Sequence, residues 1–372
     1  MLKIGVFGGS FDPCHVEHVN MARAMIKELA LDKLIIVPAG IAPHKINERA
    51  APPKDRLNML KTAFSADDGV EISDYEIAKR GVSYSFETAE HFASEYPGAG
   101  IYFLVGTDML ADFCTWKNPE RILNAVTLCV IEREGDDFES AVRLYNEYFD
   151  KPFRKLEYIG KNVSSTAIRA KACLDLPLTG LVDEGVERYI KNNGLYKNRY
   201  SEFVIKNLPI KRLTHTFGVM VLAVRYAKTL KISIDKAFTA AMLHDAAKYL
   251  DQREYDIIID DDVPASVVHQ FLGAYVAEKV LKVDDEDIVN AIRFHTTGRP
   301  RMSALEKVVF TADLLEQGRT FADVQLLRDA VAADFEKGFR LCVKYLYDYL
   351  LKSGQSVYYL TKAAKDYYCG NE

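Results

Sequence analysis

Residues 2–18 read LKIGVFGGSFDPCHVEH. Leu2–Phe7 is a short apolar run, Gly8 and Gly9 end it, and an amphipathic stretch, Val19–Leu31, follows after two histidines. A buried strand, a glycine turn and a helix in that order open an open α/β sheet. The same turn is suited to phosphate. Glycines let backbone approach a ligand closely, and a helix start offers unpaired N–H groups and a positive dipole end. His15 and His18 are three residues apart, share one helix face and can converge on one anion. The pair alone would also suit a metal or a solvated helix surface.

The pattern continues outward. Apolar runs at Lys33–Pro38, Val70–Asp74, Ile101–Gly106, Val126–Ile131 and Leu156–Ile159 alternate with amphipathic stretches such as Asp55–Ser65 and Phe86–Tyr96. Nearly all-apolar strands between helices predict a parallel sheet covered on both faces. Beyond residue 200 the texture becomes helical: Leu213–Leu230, Ile234–Tyr249, Pro264–Val280, Glu286–Phe294, Leu305–Gln317 and Asp323–Leu351. The polar stretch Lys191–Tyr200 (KNNGLYKNRY) lies between the two textures and reads as a linker. The expected fold class is therefore α/β, a doubly wound, Rossmann-like parallel sheet over residues 1–197, followed by an all-α domain over 198–372.

Composition sets limits. The chain has 372 residues, enough for two domains. With 49% hydrophobic and 27% charged residues it has the makings of a globular core. A net charge of −5 gives no basic excess for nucleic acid or an anionic membrane, so phosphate binding must come from local clusters. The six cysteines include no CxxC pair, which argues against a zinc knuckle and against a disulfide framework. The start lacks the charged and long apolar segments of a signal peptide, and no run reaches the ~18–20 apolar residues of a membrane span. A cytoplasmic protein is expected, with no nucleic-acid or membrane partner; self-association is left open.

Two N-terminal segments point to a family. Gly8-Gly9-Ser10-Phe11-Asp12-Pro13-Cys14-His15-Val16-Glu17-His18 resembles the GG[ST]FDPxHxGH signature of the HxGH nucleotidyltransferases, and Val163-Ser164-Ser165-Thr166-Ala167-Ile168-Arg169 resembles their ISSTxIR motif. Val37-Pro38-Ala39-Gly40 with Pro43-His44-Lys45, the run Arg80–Thr88, Val105-Gly106-Thr107-Asp108 with Trp116, and Gly185-Val186 through Gly194-Leu195-Tyr196 resemble segments of the nicotinate-nucleotide adenylyltransferases. That resemblance implies adenylyl transfer from ATP to nicotinate mononucleotide with Mg²⁺ bridging the phosphates. It implies that His15, His18 and Arg169 are catalytic and that Gly8, Gly9, Ser10, Phe11, Asp108, Ser165 and Thr166 bind ATP. It further implies that Lys45, Ser85 and Trp116 bind the mononucleotide. Glu17 departs from the family glycine. A carboxylate beside triphosphate is unfavourable unless it points away. A cytidylyltransferase or a pantetheine-phosphate adenylyltransferase is the competing reading, and Pro43-His44-Lys45 and Trp116 weigh against it.

All four histidines after residue 200 fall in the order His215, His244-Asp245, His269, His295, Asp313, each on a run that reads as helical. Buried carboxylates beside imidazoles need neutralising, which a divalent cation does, and helices of a bundle can aim such ligands at one point. Mixed N/O donors suit iron, manganese, cobalt or zinc. A single buried histidine is more often an ordinary core residue, but that is a poor account of six such residues. The order resembles the HD-domain phosphohydrolases, and with His295-Thr296-Thr297-Gly298-Arg299 and Leu305-Glu306-Lys307 it resembles the YqeK-like branch. The resemblance implies two metals, iron foremost: His215, His244, Asp245 and Asp313 on one, and Asp245, His269 and His295 on the other. It also implies symmetrical cleavage of diadenosine tetraphosphate. Helix geometry does not make neighbours such as His244 and Asp245 co-ligands; that assignment comes from the family. Lys248 and Arg299 are either phosphate contacts or ordinary surface charge. The alternative for this half is a nucleotide sensor, or a hydrolase of another phosphoester.

Overall fold

The computed structural model describes residues 1–40, 50–79, 81–260 and 262–370. Six strands form one sheet: β1 (Lys3–Gly9), β2 (Lys33–Pro38), β3 (Val70–Ile72), β4 (Gly100–Gly106), β5 (Thr127–Arg133) and β6 (Arg154–Gly160). Their order is β3-β2-β1-β4-β5-β6 and every pairing is parallel. This is the doubly wound, Rossmann-like arrangement. The continuous apolar strands supply both faces. Ile35 and Val37 join Ile4, Val6 and Phe103 in one buried cluster, while Leu34 and Ile36 join Phe7, Leu104 and Ile131 in the other. Side chains alternate across a strand, so an all-apolar strand feeds two cores. The order of strands reverses between β1 and β4, and a crevice at their C-terminal ends is where such sheets bind ligands. Gly8–Pro13 leaves β1 there and Thr107-Asp108 leaves β4 there.

The second unit is helical. The helices Ile210–Thr229, Ile234–Leu243, Ala265–Tyr275, Glu286–Arg293 and Ala304–Leu315 share one large apolar core, joined by Val324–Ala333 and Phe335–Lys352. By Cα packing the chain divides into 1–169 with 177–196, and 170–176 with 197–372. The helix Ser165–Cys173 thus contributes residues to both units.

Three elements differ from the sequence expectation. The stretch Asp323–Leu351 is two helices, because Asp334 is extended (φ −156°, ψ 110°) and its carboxylate accepts from Lys337 N to cap the second helix. The stretch Ile234–Tyr249 is helical only to Leu243 and then winds through tighter turns. The linker shrinks to residues 193–198, because Glu184–Asn192 and Arg199–Asn207 are both helices. Asn198 caps the latter by accepting from Tyr200 N and Ser201 N. Polar residues that read as linker are here caps.

Candidate active sites

At the end of β1 the loop is held from below. The buried guanidinium of Arg56 donates to the carbonyls of Ser10 (2.9 Å), Ala39 (2.7 Å), Gly40 (3.2 Å) and Ala51 (3.2 Å). Asp12 Oδ1 accepts from Ala51 N and from Tyr196 Oη at 2.8 Å. Gly9 leaves little room for a side chain, since a Cβ there would lie 3.1 Å from the ring of buried Phe11.

His15 caps the helix Val16–Leu29. Its Nδ1 accepts from His18 N at 3.3 Å, and His18 Nδ1 accepts from His15 N at 3.2 Å. The two rings stack at 3.5 Å. With both Nδ1 atoms acting as acceptors, each neutral ring carries its proton on Nε2. Burial above all, then the cation of Arg133, lowers the His15 pKa to about 3, so it is neutral at pH 7. His15 is thus a fixed hydrogen-bond donor rather than a cation. The positive charge comes from Arg133 at the end of β5, which the sequence reading missed; it pairs with Asp108 at 3.2 Å. Gly106 makes room for that pair, since a Cβ would lie 2.8 Å from Asp108 Oδ1 and 3.0 Å from Arg133 Nε.

Arg169 reaches the same loop. Its Nη1 donates to Asp12 O at 2.8 Å and its Nη2 to Thr166 Oγ1 at 3.2 Å. Ser165 and Thr166 open that helix. The structure therefore gathers Gly9, Phe11, His15, His18 and, through Arg133, Asp108 on one side, with Thr166 and Arg169 joined to the loop by Asp12. Ser85 begins the helix Ser85–Glu95. Trp116 packs on Phe113 at 5.2 Å, and Lys117 lies 3.9 Å over the Tyr84 ring, which brings these two segments together. Lys45, with Pro43 and His44, lies outside the described residues, as does Arg80. Glu17 is buried: Oε1 accepts from Tyr158 Oη at 2.7 Å and Oε2 from Asn20 at 3.4 Å. The carboxylate is occupied by β6 and its own helix, not turned to solvent.

In the helical unit the six predicted ligands converge. His215 lies on Ile210–Thr229, His269 on Ala265–Tyr275 and Asp313 on Ala304–Leu315. His244, Asp245 and His295 correct the expectation of helical positions, for they sit in turns just past helix ends. Asp245 is central. Its Oδ2 is 3.7 Å from His244 Nε2 and 3.9 Å from His215 Nε2, while its Oδ1 is 3.3 Å from His269 Nε2 and 3.7 Å from His295 Nε2. Asp313 Oδ1 is 3.0 Å from His215 Nε2 and 4.0 Å from His244 Nε2. Three overlapping sets of donor atoms, within 4.8 Å of one another, have metal-binding spacing.

The far side of three of the four rings is held by an acceptor, as a metal ligand requires, while His269 Nδ1 faces Lys248 Nζ at 3.3 Å. His244 Nδ1 bonds Ala241 O at 2.7 Å, His295 Nδ1 bonds Ile292 O at 2.8 Å, and His215 Nδ1 bonds Glu316 Oε1 at 3.1 Å. The Nε2 atoms of all four face the carboxylates of the centre, with Thr296 Oγ1 also within 3.2 Å of those of His269 and His295. Burial lowers His244 to about 3 and His269 to about 4, so both present neutral imidazole. Burial opposes ionisation of Asp245 and Asp313, yet the surrounding imidazoles, and for Asp313 also Arg319, hold both well below the usual carboxylate range. Burial opposes the charged form of His215, yet its bonds to Asp313 and Glu316 raise its pKa to about 9, so it would give up a proton on taking a metal. The neutral imidazoles of His244 and His269 and the ionised carboxylates are donors a divalent cation takes.

Three cations ring the cluster. Arg212 Nη1 donates to Asp245 Oδ2 at 2.8 Å, Lys248 Nζ is 3.0 Å from His269 Nε2, and Arg319 Nη2 donates to Asp313 Oδ1 at 2.7 Å. Lys248 was anticipated; Arg212, Arg319 and Glu316 were not, since nothing in the sequence separates them from solvated charge. Arg299 is not brought to the ring. It is paired with buried Glu306 at 2.5 Å and lies over the Phe294 ring at 4.4 Å.

A sheet with a paired-histidine loop after its first strand and a helical unit with an H…HD…D cluster define a tandem of a cytidylyltransferase-like fold and an HD domain. Residues 6–171 match the Cytidylyltransferase-like family, and residues 212–318 match the HD domain family. A Mycoplasma genitalium protein, "Probable nicotinate-nucleotide adenylyltransferase/Ap4A hydrolase", is 31% identical over 85% of this chain and 88% of its own. Its Mycoplasma pneumoniae namesake is 27% identical over 92% of this chain and 98% of its own. A Clostridium tetani "Probable nicotinate-nucleotide adenylyltransferase" is 38% identical over 53% of this chain and 100% of its own. The chain belongs to the family of fused nicotinate-nucleotide adenylyltransferase/Ap4A hydrolase proteins.

Proposed function

We propose that the first unit transfers AMP from ATP to nicotinate mononucleotide, and that the second hydrolyses diadenosine tetraphosphate to two ADP. The observation that carries the second half is Asp245, one buried carboxylate with a separate histidine set at each oxygen. The first half rests on His15 and His18, stacked and locked together by reciprocal Nδ1 capping bonds at the start of the helix that follows β1.

In the transfer, a phosphate oxygen of the mononucleotide bonds to the α-phosphorus of ATP while the α–β bridging bond breaks and pyrophosphate leaves. His15 and His18 donate to phosphate oxygens, and Arg133 and Arg169 balance the charge that accumulates on the leaving group. The protein needs no nucleophile of its own; position and charge do the work. Mg²⁺ bound with ATP would supply further neutralisation. Ser85 and Trp116 are the residues for the pyridine end.

In the hydrolysis, a water oxygen bonds to an inner phosphorus, the phosphoanhydride bridge breaks, and a proton reaches the departing ADP. His215, His244, Asp245 and Asp313 would hold one divalent cation, and Asp245, His269 and His295 the other. Iron, manganese, cobalt or zinc fits these donors. Such a pair supplies Lewis acidity toward phosphate and a water activated at neutral pH. Arg212, Lys248 and Arg319 then face the polyphosphate.

The test uses purified chain with diadenosine tetraphosphate and a metal series, with products separated by chromatography. Two ADP per substrate supports the reading. ATP with AMP in equal amounts would refute the symmetry of cleavage, and no product with any metal would refute hydrolysis.

A further inference from the structure

A cavity of about 300 Å³ opens beside the histidine–aspartate cluster. Its lining includes His295 and Asp313 of the cluster, then Arg319, Phe321, Tyr345 and Tyr349. The rings are nearly parallel. Phe321 and Tyr345 lie 4.9 Å apart at 21°, and Tyr345 and Tyr349 lie 6.4 Å apart at 15°. Tyr345 and Tyr349 are four residues apart on the helix Phe335–Lys352, which stacks them on one face. Tyr349 is 49% exposed. Phe321 and Tyr345 pack against the core on one side, but core packing does not account for the half-exposed Tyr349 that continues the series along the cavity beside the cluster. A binding surface does: ligand sites of this size are mostly apolar with a few placed polar groups.

The ligand chemistry follows from the lining. Phosphate belongs at the cluster, and Arg319 is held there by bonds to Asp313 Oδ1 and to Asp313 O at 3.0 Å. What adjoins the phosphate must be flat and aromatic to use parallel ring faces. Resting on the hydrolase reading above, we propose that Phe321, Tyr345 and Tyr349 form the nucleobase platform of the helical unit, with Arg319 gripping the adjoining phosphate. Ring faces hold any base, because every base has a π-face. Adenine and guanine dinucleotides are therefore turned over with KM values within roughly tenfold of each other.

The test uses the full chain loaded with manganese, comparing wild type with Tyr345→Leu, Phe321→Leu and Tyr345→Phe. The expected result is a rise of roughly tenfold or more in KM for diadenosine tetraphosphate in the two leucine variants. Their kcat stays close to wild type, and Tyr345→Phe restores KM. As inhibitors, ADP weakens by the same factor while pyrophosphate is unchanged, because only ADP carries a base. Photolabelling with 8-azido-ADP marks peptides spanning Phe321–Tyr349, and Tyr345→Leu loses that mark. Equal weakening of ADP and pyrophosphate would overturn the platform, as would unchanged KM or labelling confined to residues 1–197. The two readings fail separately. Labelled Phe321–Tyr349 peptides without hydrolysis would sink the hydrolase and keep the platform; hydrolysis with unchanged KM would do the reverse.

Discussion

Asp245 shows how much one side chain decides. Each oxygen faces two imidazoles, so Asp245→Asn keeps the shape and removes the charge both metal sets share. Bound metal measured by elemental analysis should fall at both sites and hydrolysis by at least ~100-fold; undiminished metal would contradict the shared-carboxylate arrangement. Glu316 acts one step out, through His215 Nδ1. Glu316→Gln should weaken metal affinity about 10- to 100-fold in chelator competition. His15 supplies a pH prediction. Its folded pKa is about 3 against an ordinary 6.5. Between those values the unfolded chain binds a proton that the folded chain does not, so stability falls as pH drops from about 6.5 toward 3. In urea unfolding at pH 7 and pH 5, His15→Asn should lose less stability than wild type; an identical loss would refute this. The histidines and aspartates stood out in sequence by their order and spacing, and His244-Asp245 and Asp313 also by interrupting apolar runs. Arg133, Arg212, Glu316 and Arg319 were not, because a charged residue on a helix or at a strand end looks the same whether it faces solvent or a site.

Elements were legible where periodicity was long and continuous. All six strands fall on the predicted apolar runs; burial on both faces keeps β1, β2 and β4 free of polar breaks, while the edge strands β3 and β6 carry exposed Glu71 and Glu157. Ends were less legible. Ala246 and Ala247 carry the apolar pattern beyond Leu243, although the helix has ended there, and Asp334 breaks a stretch whose periodicity continues on both sides. The helices beside that break carry a packing constraint. A Cβ on Gly338 would lie 2.4 Å from Val331 Cα and N. Alanine would gain about 1 kcal/mol in helix propensity, but a clash with backbone cannot be relieved by a rotamer, and overpacking costs about 1–3 kcal/mol. Gly338→Ala should therefore lower the thermal midpoint of the helical unit. A raised midpoint would show that the two helices can separate freely. In the sheet unit, Arg56→Ala would strip four carbonyls of their donor. Roughly 2–4 kcal/mol of stability should be lost in denaturant unfolding, and a neutral result would remove Arg56 as the staple of the loop.

Across the whole molecule, the change of texture near residue 200 announced two units, and the relatives that align along both halves carry both names. The fine division was not legible. Ala170–Leu176 packs with the helical unit although it lies before residue 197, because a helix can serve two cores without any mark in its composition. No helix among the described residues is long and apolar enough to cross a membrane. The central claim is that one chain holds two independent chemistries. It is tested most directly by assaying deamido-NAD formation and diadenosine tetraphosphate hydrolysis side by side in wild type, His18→Ala and Asp245→Asn. Crossed loss is expected: His18→Ala abolishes transfer and spares hydrolysis, and Asp245→Asn abolishes hydrolysis and spares transfer. Loss of both activities in either correctly folded variant, or of neither, would contradict it.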